Sequence, residues 1–538
     1  MLRTKNLITL NFTLALLASV HLYASTAQVR SGTSLCNQET TFLNARLATI
    51  KANLASILGT QLTDAQVPRI ALCASGGGYR AMVATLGWLE GESLTTQKNS
   101  PRGFLSTVAS WFGVSSSTPS VPNNGSIESE SLNLRDVCTH FAALSGSTWA
   151  LSGLEYSRMT PTDYVTHITP QISTSIFQNI NMQDLAAQIL KKENAGQPVS
   201  FIDIYGIILA QKLLSNLGDA TPSSIDLAAY VNMATSMNKP LPIQTSLIAN
   251  DATNYHWVEY SPYEIGSTDL QAFIPTTAFG KKFNNGTSQD ATSPESLGFC
   301  MGTWGSAMSV DPNDFLRLVI DPYEQSITPQ YLQQTYGSVV ASAASLFERL
   351  QNDVVQDLAG DSIMQSRISP ASIFNFVAGL PNTQFNTQAT LTLVDGGIDC
   401  NLPVFPLLRP ERAIDIIIIL DASAGTFGQE LHNAQTHAQK WGYPFPAIDY
   451  TKINQPCSVH WDQNNAAAPI VIYMPLIQNS GYQNNWDPWS ADFTNTENFT
   501  YTPAQTAQLS GLTSYNMSQN MPLIINTIKQ WVALKQQA

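Results

Sequence analysis

The sequence predicts an α/β fold with a three-layer α/β/α architecture. The middle layer is a mostly parallel or mixed sheet, and a large cap or lid is inserted into the domain. Three observations predict it. Short apolar runs end in glycine-bearing turns at three places along the chain. Residues 414–420 (IDIIIIL) are almost continuously β-branched, as in a parallel strand buried on both faces. Strand-like and helix-like segments alternate, without an internal repeat.

The first strand–turn–helix segment begins after a predicted helix. Residues 38–59 carry leucines and an isoleucine three or four positions apart, which indicates a helix. Residues 68–74 (PRIALCA) then predict a short buried strand. This strand leads into Ser75-Gly76-Gly77-Gly78, and the stretch that follows is helix-like up to Leu89.

Two further turns follow the same pattern. Residues 138–144 predict a strand, and Ser145-Gly146-Ser147 turns the chain into another helix. Residues 391–394 predict a strand that meets Asp395-Gly396-Gly397. Residues 470–474 predict a further strand. Because ligand chemistry in α/β sheets gathers at the carboxyl ends of strands, these turns are the candidate site.

The length of 538 residues suits one large α/β domain with insertions, or two to three ordinary domains. We expect a single domain over residues 28–538, with cap or lid insertions at roughly 160–390. Residues 100–130 are rich in Ser, Pro, Asn and Gly and predict a long polar surface loop. Residues 504–535 predict a closing helical region.

Residues 1–27 have the pattern of a signal peptide. Arg3 and Lys5 precede an apolar core at 7–20, and small residues follow at 25–27. The alternative is a short membrane anchor, but the apolar stretch is too short to span a bilayer comfortably. No later segment is apolar over a membrane-spanning length. We therefore expect a secreted or periplasmic protein without a transmembrane segment in the mature chain.

Charge and cysteine usage exclude some functions. The net charge of −13 argues against binding to nucleic acid, because few basic groups are present to neutralise phosphates. No cysteine or histidine pair has zinc-ligand spacing, so no metal site is predicted. An even number of cysteines in an exported chain permits disulfides, and their pairing stays open. The six are Cys36, Cys73, Cys138, Cys300, Cys400 and Cys457.

Ser145 is the candidate nucleophile. An acyl-transfer serine needs an exposed hydroxyl on a tight strand-to-helix elbow near the positive end of a helix. Here Ala143 and Ser147 stand where the common G-x-S-x-G pattern has glycines. From this pentapeptide alone, a serine that merely caps a helix is the stronger reading.

The first turn supplies a second part of such a site. Its three successive glycines leave backbone N–H groups open to hold an oxyanion, an interaction worth about 3–4 kcal/mol per donor in studied enzymes. A phosphate-binding loop is the rival interpretation, but the spacing of the nucleotide-binding motifs is absent. Arg80, just inside the helix, can hold a phosphodiester; the alternative is a surface salt bridge.

Asp395 is the candidate base. Next to two glycines at the end of a strand, it can approach another backbone closely and take the serine proton, and burial would raise its pKa and its usefulness. The plain alternative is an aspartate in a turn. A Ser–His–Asp triad is the other route, with His432 or His437 as the candidate histidine; His140 lies on the strand that leads to Ser145.

Together, the three turns resemble the catalytic domain of the cytosolic phospholipase A2 family and its fungal phospholipase B (lysophospholipase) relatives. Six strings occur in the family's order. They are Ser75-Gly-Gly-Gly-Tyr-Arg-Ala-Met82, Leu144-Ser-Gly-Ser-Thr-Trp149, Ser261-Pro-Tyr-Glu-Ile-Gly266, Gly298-Phe-Cys-Met-Gly-Thr-Trp-Gly-Ser-Ala307, Asp395-Gly-Gly with Asn401-Leu-Pro403, and Leu408-Arg-Pro-Glu-Arg412.

The resemblance implies a role for each part. Ser145 is then the nucleophile and Asp395 its dyad partner, Gly77 and Gly78 supply the oxyanion-hole amides, and Arg80 contacts the substrate phosphate. The implied reaction is hydrolysis of acyl esters of phospholipids or lysophospholipids at a membrane or micelle surface, through an acyl-serine intermediate. It needs no histidine, metal or cofactor.

The chain departs from the family pattern at Ala143 and in the long loop 100–130. We also expect no room before residue 67 for the calcium-dependent targeting domain of the animal enzymes. Calcium dependence is therefore not carried over. Phe104 and Trp111-Phe112 in that loop either touch lipid or anchor the loop on the core. Two other functions stay open: a general lipid esterase or transacylase with the same dyad, and an exported lipid-binding protein without catalysis.

Overall fold

The computed structural model describes residues 26–94, 132–218, 221–236, 239–251, 253–289, 294–307 and 370–537. The polar loop at 100–130, with its aromatic residues, and nearly all of the predicted signal peptide lie outside the described residues. Residues 308–369 of the predicted insertion lie outside them as well.

The chain divides into two compact units. The first comprises Met1–Cys36, Phe177–Ala234 and Thr245–Asp395. The second comprises Asn37–Ile176, Thr235–Gln244 and Gly396–Ala538. The segment predicted as a cap or lid contributes most of the first unit. The interpretation of 28–538 as one domain stays a prediction.

The strands are β1 Arg30–Ser31, β2 Ile70–Ala74, β3 His140–Ala143, β4 Leu241–Ile248, β5 His256–Tyr260, β6 Glu264–Ser267, β7 Ala272–Pro275, β8 Phe283–Asn284, β9 Thr287–Ser288, β10 Ala371–Phe374, β11 Thr390–Val394, β12 Ile416–Asp421, β13 Ser458–His460 and β14 Ile470–Pro475. The helices are α1 Asn37–Leu58, α2 Gly78–Glu90, α3 Gly146–Ser157, α4 Pro161–Ile172, α5 Met182–Asn194, α6 Phe201–Leu213, α7 Leu227–Ser236, α8 Leu297–Trp304, α9 Phe405–Leu408, α10 Gln429–Lys440 and α11 Pro503–Gln537.

The second unit is built on a mostly parallel sheet in the order β13-β14-β12-β2-β3-β4. Only β13 is antiparallel to its neighbour, and β4 takes part here with its first four residues, Leu241 to Gln244. Every residue of β2, β3, β12 and β14 is buried. Burial on both faces explains why these strands are continuous apolar runs rather than alternating ones.

Close helix packing in the second unit depends on glycines. Helix α2 is buried at every position from Gly78 to Leu89, and α11 runs along it. A Cβ on Gly87 would overlap the Ser510 carbonyl oxygen, and one on Gly91 would overlap that of Ser514. The backbones of the two helices therefore approach to a distance that only glycine permits.

The strands of the first unit pair antiparallel, whereas most strands of the second unit pair parallel. Its strands follow the order β1-β7-β6-β5-β4, and the last two residues of β4 pair antiparallel with β11, which pairs antiparallel with β10. Helices α6 and α8 pack closely in this unit, since a Cβ on Gly206 would overlap the Gly298 carbonyl oxygen.

The predicted α/β class with a mixed sheet is confirmed. The strand at 68–74 is shortened to β2, and the predicted helices at 38–59 and 504–535 are α1 and α11 within a residue or two. The strand predicted at 138–144 is shorter in the structure and comprises only β3. A short 3₁₀ turn over Leu134–Val137 precedes it, so the strand begins later than predicted. No helix among the described residues is apolar over a length that would cross a membrane.

Candidate active site

The turn at Ser145 is strained. Ser145 lies between β3 and α3 with φ 50° and ψ −126°, a conformation that residues with a Cβ rarely adopt. The residue occupies the N-cap position, but its side chain makes no capping hydrogen bond. The helix-cap interpretation of the hydroxyl is therefore wrong, and a strained strand-to-helix elbow is the geometry of a nucleophilic serine.

Ala143, the departure from the family pattern, causes no distortion. It is the buried last residue of β3 and pairs with Ala74 on one side and Gln244 on the other. The left-handed conformation falls on Ser145, two residues later, so position 143 does not require glycine.

The glycine turn packs directly against this elbow. A Cβ on Gly76 would lie 2.7 Å from the Cβ of Ser145, and a Cβ on Gly146 would overlap the Gly78 carbonyl oxygen. Gly77 and Gly78 have φ of 141° and 57°. Their N–H groups have no hydrogen-bond acceptor among the described residues. Open amides beside a strained serine are the arrangement of an oxyanion hole.

Hydroxyl groups hold the glycine turn in place. Ser147 Oγ donates to the Ser75 carbonyl oxygen at 2.5 Å and lies 2.9 Å from Thr85 Oγ1. Ser75 Oγ accepts the Ala422 N–H at 2.7 Å. Ser147, which replaces a glycine of the common motif, therefore ties the elbow helix to the turn, a role that the motif comparison missed.

Asn401 is a second residue whose role was missed. Its side-chain amide donates to the Gly76 carbonyl oxygen at 3.0 Å and to Ser423 Oγ at 2.7 Å. The Gly76 N–H donates to the Asn401 carbonyl oxygen at 3.2 Å. The backbone N–H of Asn401 donates to Glu430 Oε2 at 2.6 Å. Its presence in a family string was the available signal, but spacing alone does not predict contacts across 325 residues.

Arg80 is buried, with 1% of its surface exposed, and the surface salt-bridge interpretation is wrong. Its Nε donates to the Ala422 carbonyl oxygen, and its Nη1 donates to the Thr494 carbonyl oxygen and Thr496 Oγ1, each at 2.8 Å. Its Nη2 lies against Gly77, where a Cβ would overlap it. Burial lowers the pKa of Arg80 to about 10, so the guanidinium stays charged at neutral pH.

Asp395 belongs to the first unit and follows β11 directly. The residue is buried, with 1% of its surface exposed. Its backbone N–H donates to Ser306 Oγ at 2.9 Å, and its Oδ2 accepts the Ala307 N–H at 3.4 Å. Both partners lie in the family string that ends at Ala307, so residues of this string hold the candidate base in place by hydrogen bonds.

The histidines of the second unit have other partners. His140 Nδ1 lies 2.9 Å from Thr139 Oγ1, and its Nε2 lies 3.5 Å from Glu39. His432 approaches the Tyr450 hydroxyl at 3.3 Å, and His437 approaches Asp399 at 3.5 Å. In the described part of this unit, none of these contacts includes Ser145. The described ranges also contain no group of His, Cys, Asp and Glu that would hold a metal ion.

Comparison with known proteins identifies a matching protein family. A family model for lysophospholipase catalytic domains matches residues 125–442. This range includes Ser145 and Asp395 and excludes the first glycine turn.

Two relatives match nearly the whole chain. The chain is 24% identical to cytosolic phospholipase A2 delta of Mus musculus in an alignment of 562 positions that covers 93% of this chain and 63% of the relative. It is 25% identical to cytosolic phospholipase A2 zeta of Homo sapiens over 578 residues, covering 94% and 62%. The chain therefore spans less than two thirds of the length of either relative.

Solved structures agree on the fold. Human GIVD cytosolic phospholipase A2 superimposes with a TM-score of 0.67 at 20% identity, covering 94% of this chain and 68% of that one. The same enzyme in complex with methyl gamma-linolenyl fluorophosphonate gives a TM-score of 0.65 at 19% identity, covering 95% and 66%. At this level of identity, the likeness establishes the shared fold.

Proposed function

This chain belongs to the lysophospholipase catalytic domain family, and on that premise we propose that it hydrolyses acyl esters of phospholipids or lysophospholipids with Ser145 as nucleophile and Asp395 as base. The observation that carries the proposal is the strained elbow at Ser145, packed on a turn with open glycine amides. A backbone conformation with this energetic cost persists where the surrounding structure enforces it, as at a nucleophile elbow.

The proposed reaction has two stages. Ser145 Oγ attacks the ester carbonyl carbon and passes its proton to Asp395, and the N–H groups of Gly77 and Gly78 stabilise the oxyanion. The alcohol leaves with the proton from Asp395, and the acyl group stays on Ser145. Water then attacks the acyl-serine by the reverse proton path and releases the fatty acid. The pairing of the two residues rests on the family resemblance.

Arg80 is proposed to attract the substrate phosphate. Its Nε and Nη1 are occupied by protein acceptors, and its Nη2 faces Gly77. A charged guanidinium held at the glycine turn would attract the phosphate as the ester carbonyl enters the oxyanion hole.

Export is a separate proposal. The charged start, apolar core and small residues within 1–27 support a cleaved signal peptide and a secreted or periplasmic enzyme that works at a membrane or micelle surface. N-terminal sequencing of the protein recovered from medium or periplasm would test it. An intact Met1 on cell-associated protein would reject export by cleavage.

Substitution of the proposed dyad tests the function. Ser145→Ala and Asp395→Asn should each abolish fatty-acid release from lysophosphatidylcholine, and Ser145→Ala should abolish labelling by a fluorophosphonate probe. Asp399→Asn is the matched control, because it removes a nearby carboxylate that is paired with His437. Full activity in either dyad variant would reject the dyad. A folded wild-type protein that neither labels nor releases fatty acid would favour a lipid-binding function.

A further inference from the structure

Asn401 binds both backbone polar groups of Gly76. The Gly76 N–H donates to the Asn401 backbone carbonyl oxygen at 3.2 Å. The side-chain amide of Asn401 donates to the Gly76 carbonyl oxygen at 3.0 Å. A carbonyl oxygen only accepts hydrogen bonds, so it is Nδ2 of Asn401 that faces it. The Ser75 hydroxyl also approaches this oxygen, at 3.4 Å, which is too long for a strong bond. Asn401 is therefore the main group that holds the Gly76 carbonyl.

The Gly76 carbonyl shares a peptide plane with the N–H of Gly77. No peptide bond in the described ranges is cis, and in a planar trans peptide the C=O and N–H bonds point in opposite directions. The direction of the Gly76 carbonyl therefore sets the direction of the Gly77 N–H. This N–H is one of the two open amides beside Ser145, and it has no acceptor among the described residues.

A run of glycines does not keep one backbone direction by itself. Gly76, Gly77 and Gly78 have no Cβ, so their φ and ψ angles vary more freely than those of other residues. A rotation of the peptide between Gly76 and Gly77 would turn the Gly77 N–H away. Donors that stabilise an oxyanion have to be aligned before the reaction, since alignment during the reaction costs part of their effect. A hydrogen bond on the Gly76 carbonyl supplies this alignment.

Asn401 is itself fixed by residues of the second unit. The same side-chain nitrogen donates to Ser423 Oγ at 2.7 Å, which sets the plane of the amide. Ser423 is held in turn, because its N–H donates to Asp421 Oδ1 at 2.9 Å. The backbone N–H of Asn401 donates to Glu430 Oε2 at 2.6 Å, a short bond to a carboxylate in the first turn of α10. The donor that faces Gly76 is thus rigidly placed.

Asn375 in the first unit shows what a locally structural asparagine does. Its Nδ2 donates to the carbonyl oxygens of Phe385 and Gln388, each at 2.8 Å, and its Oδ1 accepts the Val377 N–H at 2.9 Å. All three partners lie within 13 residues, so these bonds close one loop. The Asn401 amide instead reaches a turn 325 residues away in the sequence. This bond joins the segment that follows Asp395 to the glycine turn.

We propose that Asn401 is a positioning residue, which aims the Gly77 N–H at the oxyanion by holding the Gly76 carbonyl of the same peptide plane. The proposal rests on the proposed acyl-ester hydrolysis and adds to it a residue that acts through the oxyanion turn. The bond also polarises the peptide, which makes its N–H a better donor. An oxyanion forms only as the ester carbonyl is attacked, so the effect of Asn401 falls on the transition state and not on substrate binding.

Ester hydrolysis by Asn401→Asp is the first test. The aspartate keeps the shape of the side chain but places an acceptor opposite the Gly76 carbonyl oxygen, so the peptide should turn away. The loss of one oxyanion donor costs about a hundredfold or more in studied enzymes. We therefore expect kcat for lysophosphatidylcholine to fall by about a hundredfold, with KM little changed.

Asn375→Asp is the matched control, since it makes the same chemical change at an asparagine that holds only a local loop. It should leave kcat per folded molecule unchanged. Ser423→Ala removes the acceptor that orients the Asn401 amide and should lower kcat in the same direction, by less. If Asn401→Asp fails to fold, Ser423→Ala carries the test. An unchanged kcat in the folded variant, or an equal fall in kcat and in substrate affinity, would overturn the positioning role.

The orientation of the peptide is the second test, and it does not depend on turnover. Crystal structures of the wild type and of Asn401→Asp are compared at the peptide between Gly76 and Gly77. A rotated plane supports the role of Asn401 even if the wild type hydrolyses none of the esters tested. An unchanged plane overturns it even if the wild type is an active esterase. A wild type that neither hydrolyses esters nor reacts with a fluorophosphonate would reject the proposed function, and that result does not involve Asn401.

Discussion

Gly146 and Gly78 lie in such close contact that a Cβ on Gly146 would overlap the Gly78 carbonyl oxygen. Gly146 begins α3 behind the nucleophile elbow, and Gly78 begins α2 behind the glycine turn. The relative position of Ser145 and the open amides is therefore set by backbone packing between two helix starts.

Gly146→Ala should move these two parts of the site relative to each other. A displacement of about 1 Å in a catalytic group costs on the order of a hundredfold in rate, so kcat for ester hydrolysis should fall by about this factor. Gly59→Ala is the control, because Gly59 has a positive φ of 66° but no atom lies within 4 Å of the place that its Cβ would take. Comparable activity losses in both variants would contradict the packing argument.

The backbone strain at Ser145 should be measurable as a difference in the free energy of unfolding between two variants. A residue with a Cβ at φ 50° costs about 1–3 kcal/mol, whereas glycine reaches this φ freely but loses about 0.5–1 kcal/mol in chain entropy. Ser145→Gly should therefore be more stable than Ser145→Ala by about 1 kcal/mol in urea unfolding, and both should be inactive. Equal stability, or a more stable alanine variant, would contradict the strain.

The strands and turns of the second unit were predictable because their local chemistry is repetitive. β12 and β2 are buried on both faces, so their apolar residues run without alternation and stand out in the sequence. The first unit offers weaker signals, since β6 and β7 are only four residues long and pair antiparallel. Short strands of this kind depend on their partners more than on their own residues.

The residue types of the candidate site were predictable from the sequence, but the hydrogen bonds that hold these residues in place were not. The glycines and Ser145 carry motif signals, but the bonds that hold Arg80 come from positions 422, 494 and 496. Contacts across more than three hundred residues leave no local pattern. For the same reason, the sequence leaves a surface salt bridge open as the alternative role of Arg80, and the burial of Arg80 shows that this alternative is wrong.

All six cysteines are buried, and none of them forms a disulfide. Burial raises the pKa of Cys73, Cys300 and Cys400 well above its usual range and that of Cys457 to about 12, so little reactive thiolate forms at neutral pH. Ellman's reagent should find almost no reactive thiol in native protein and six in urea without reductant. Fewer than six in urea, but six after reduction, would reveal a disulfide.

Glu155 gives the protein a pH-dependent stability. It lies in α3, is 5% exposed, and its Oε2 has no hydrogen-bond partner among the described residues. Two nearby cations are engaged elsewhere: Arg135 bonds Glu92 at 2.5 Å, and Lys239 bonds Asp136 at 2.8 Å. Burial raises the pKa of Glu155 to about 7, and these two cations offset only part of that effect.

The sign of the dependence follows from proton binding. Between pH 4.5, its ordinary pKa, and about 7, the folded protein keeps a proton on Glu155 that the unfolded chain releases. The contribution of Glu155 to stability therefore falls as pH rises through this window and is constant above it. Glu155→Gln, which stays neutral, should match the wild type near pH 4.5 and exceed it at pH 8 by on the order of 1–3 kcal/mol. Urea unfolding of both proteins at the two pH values measures this difference; the same difference at both would show that Glu155 does not titrate within this window.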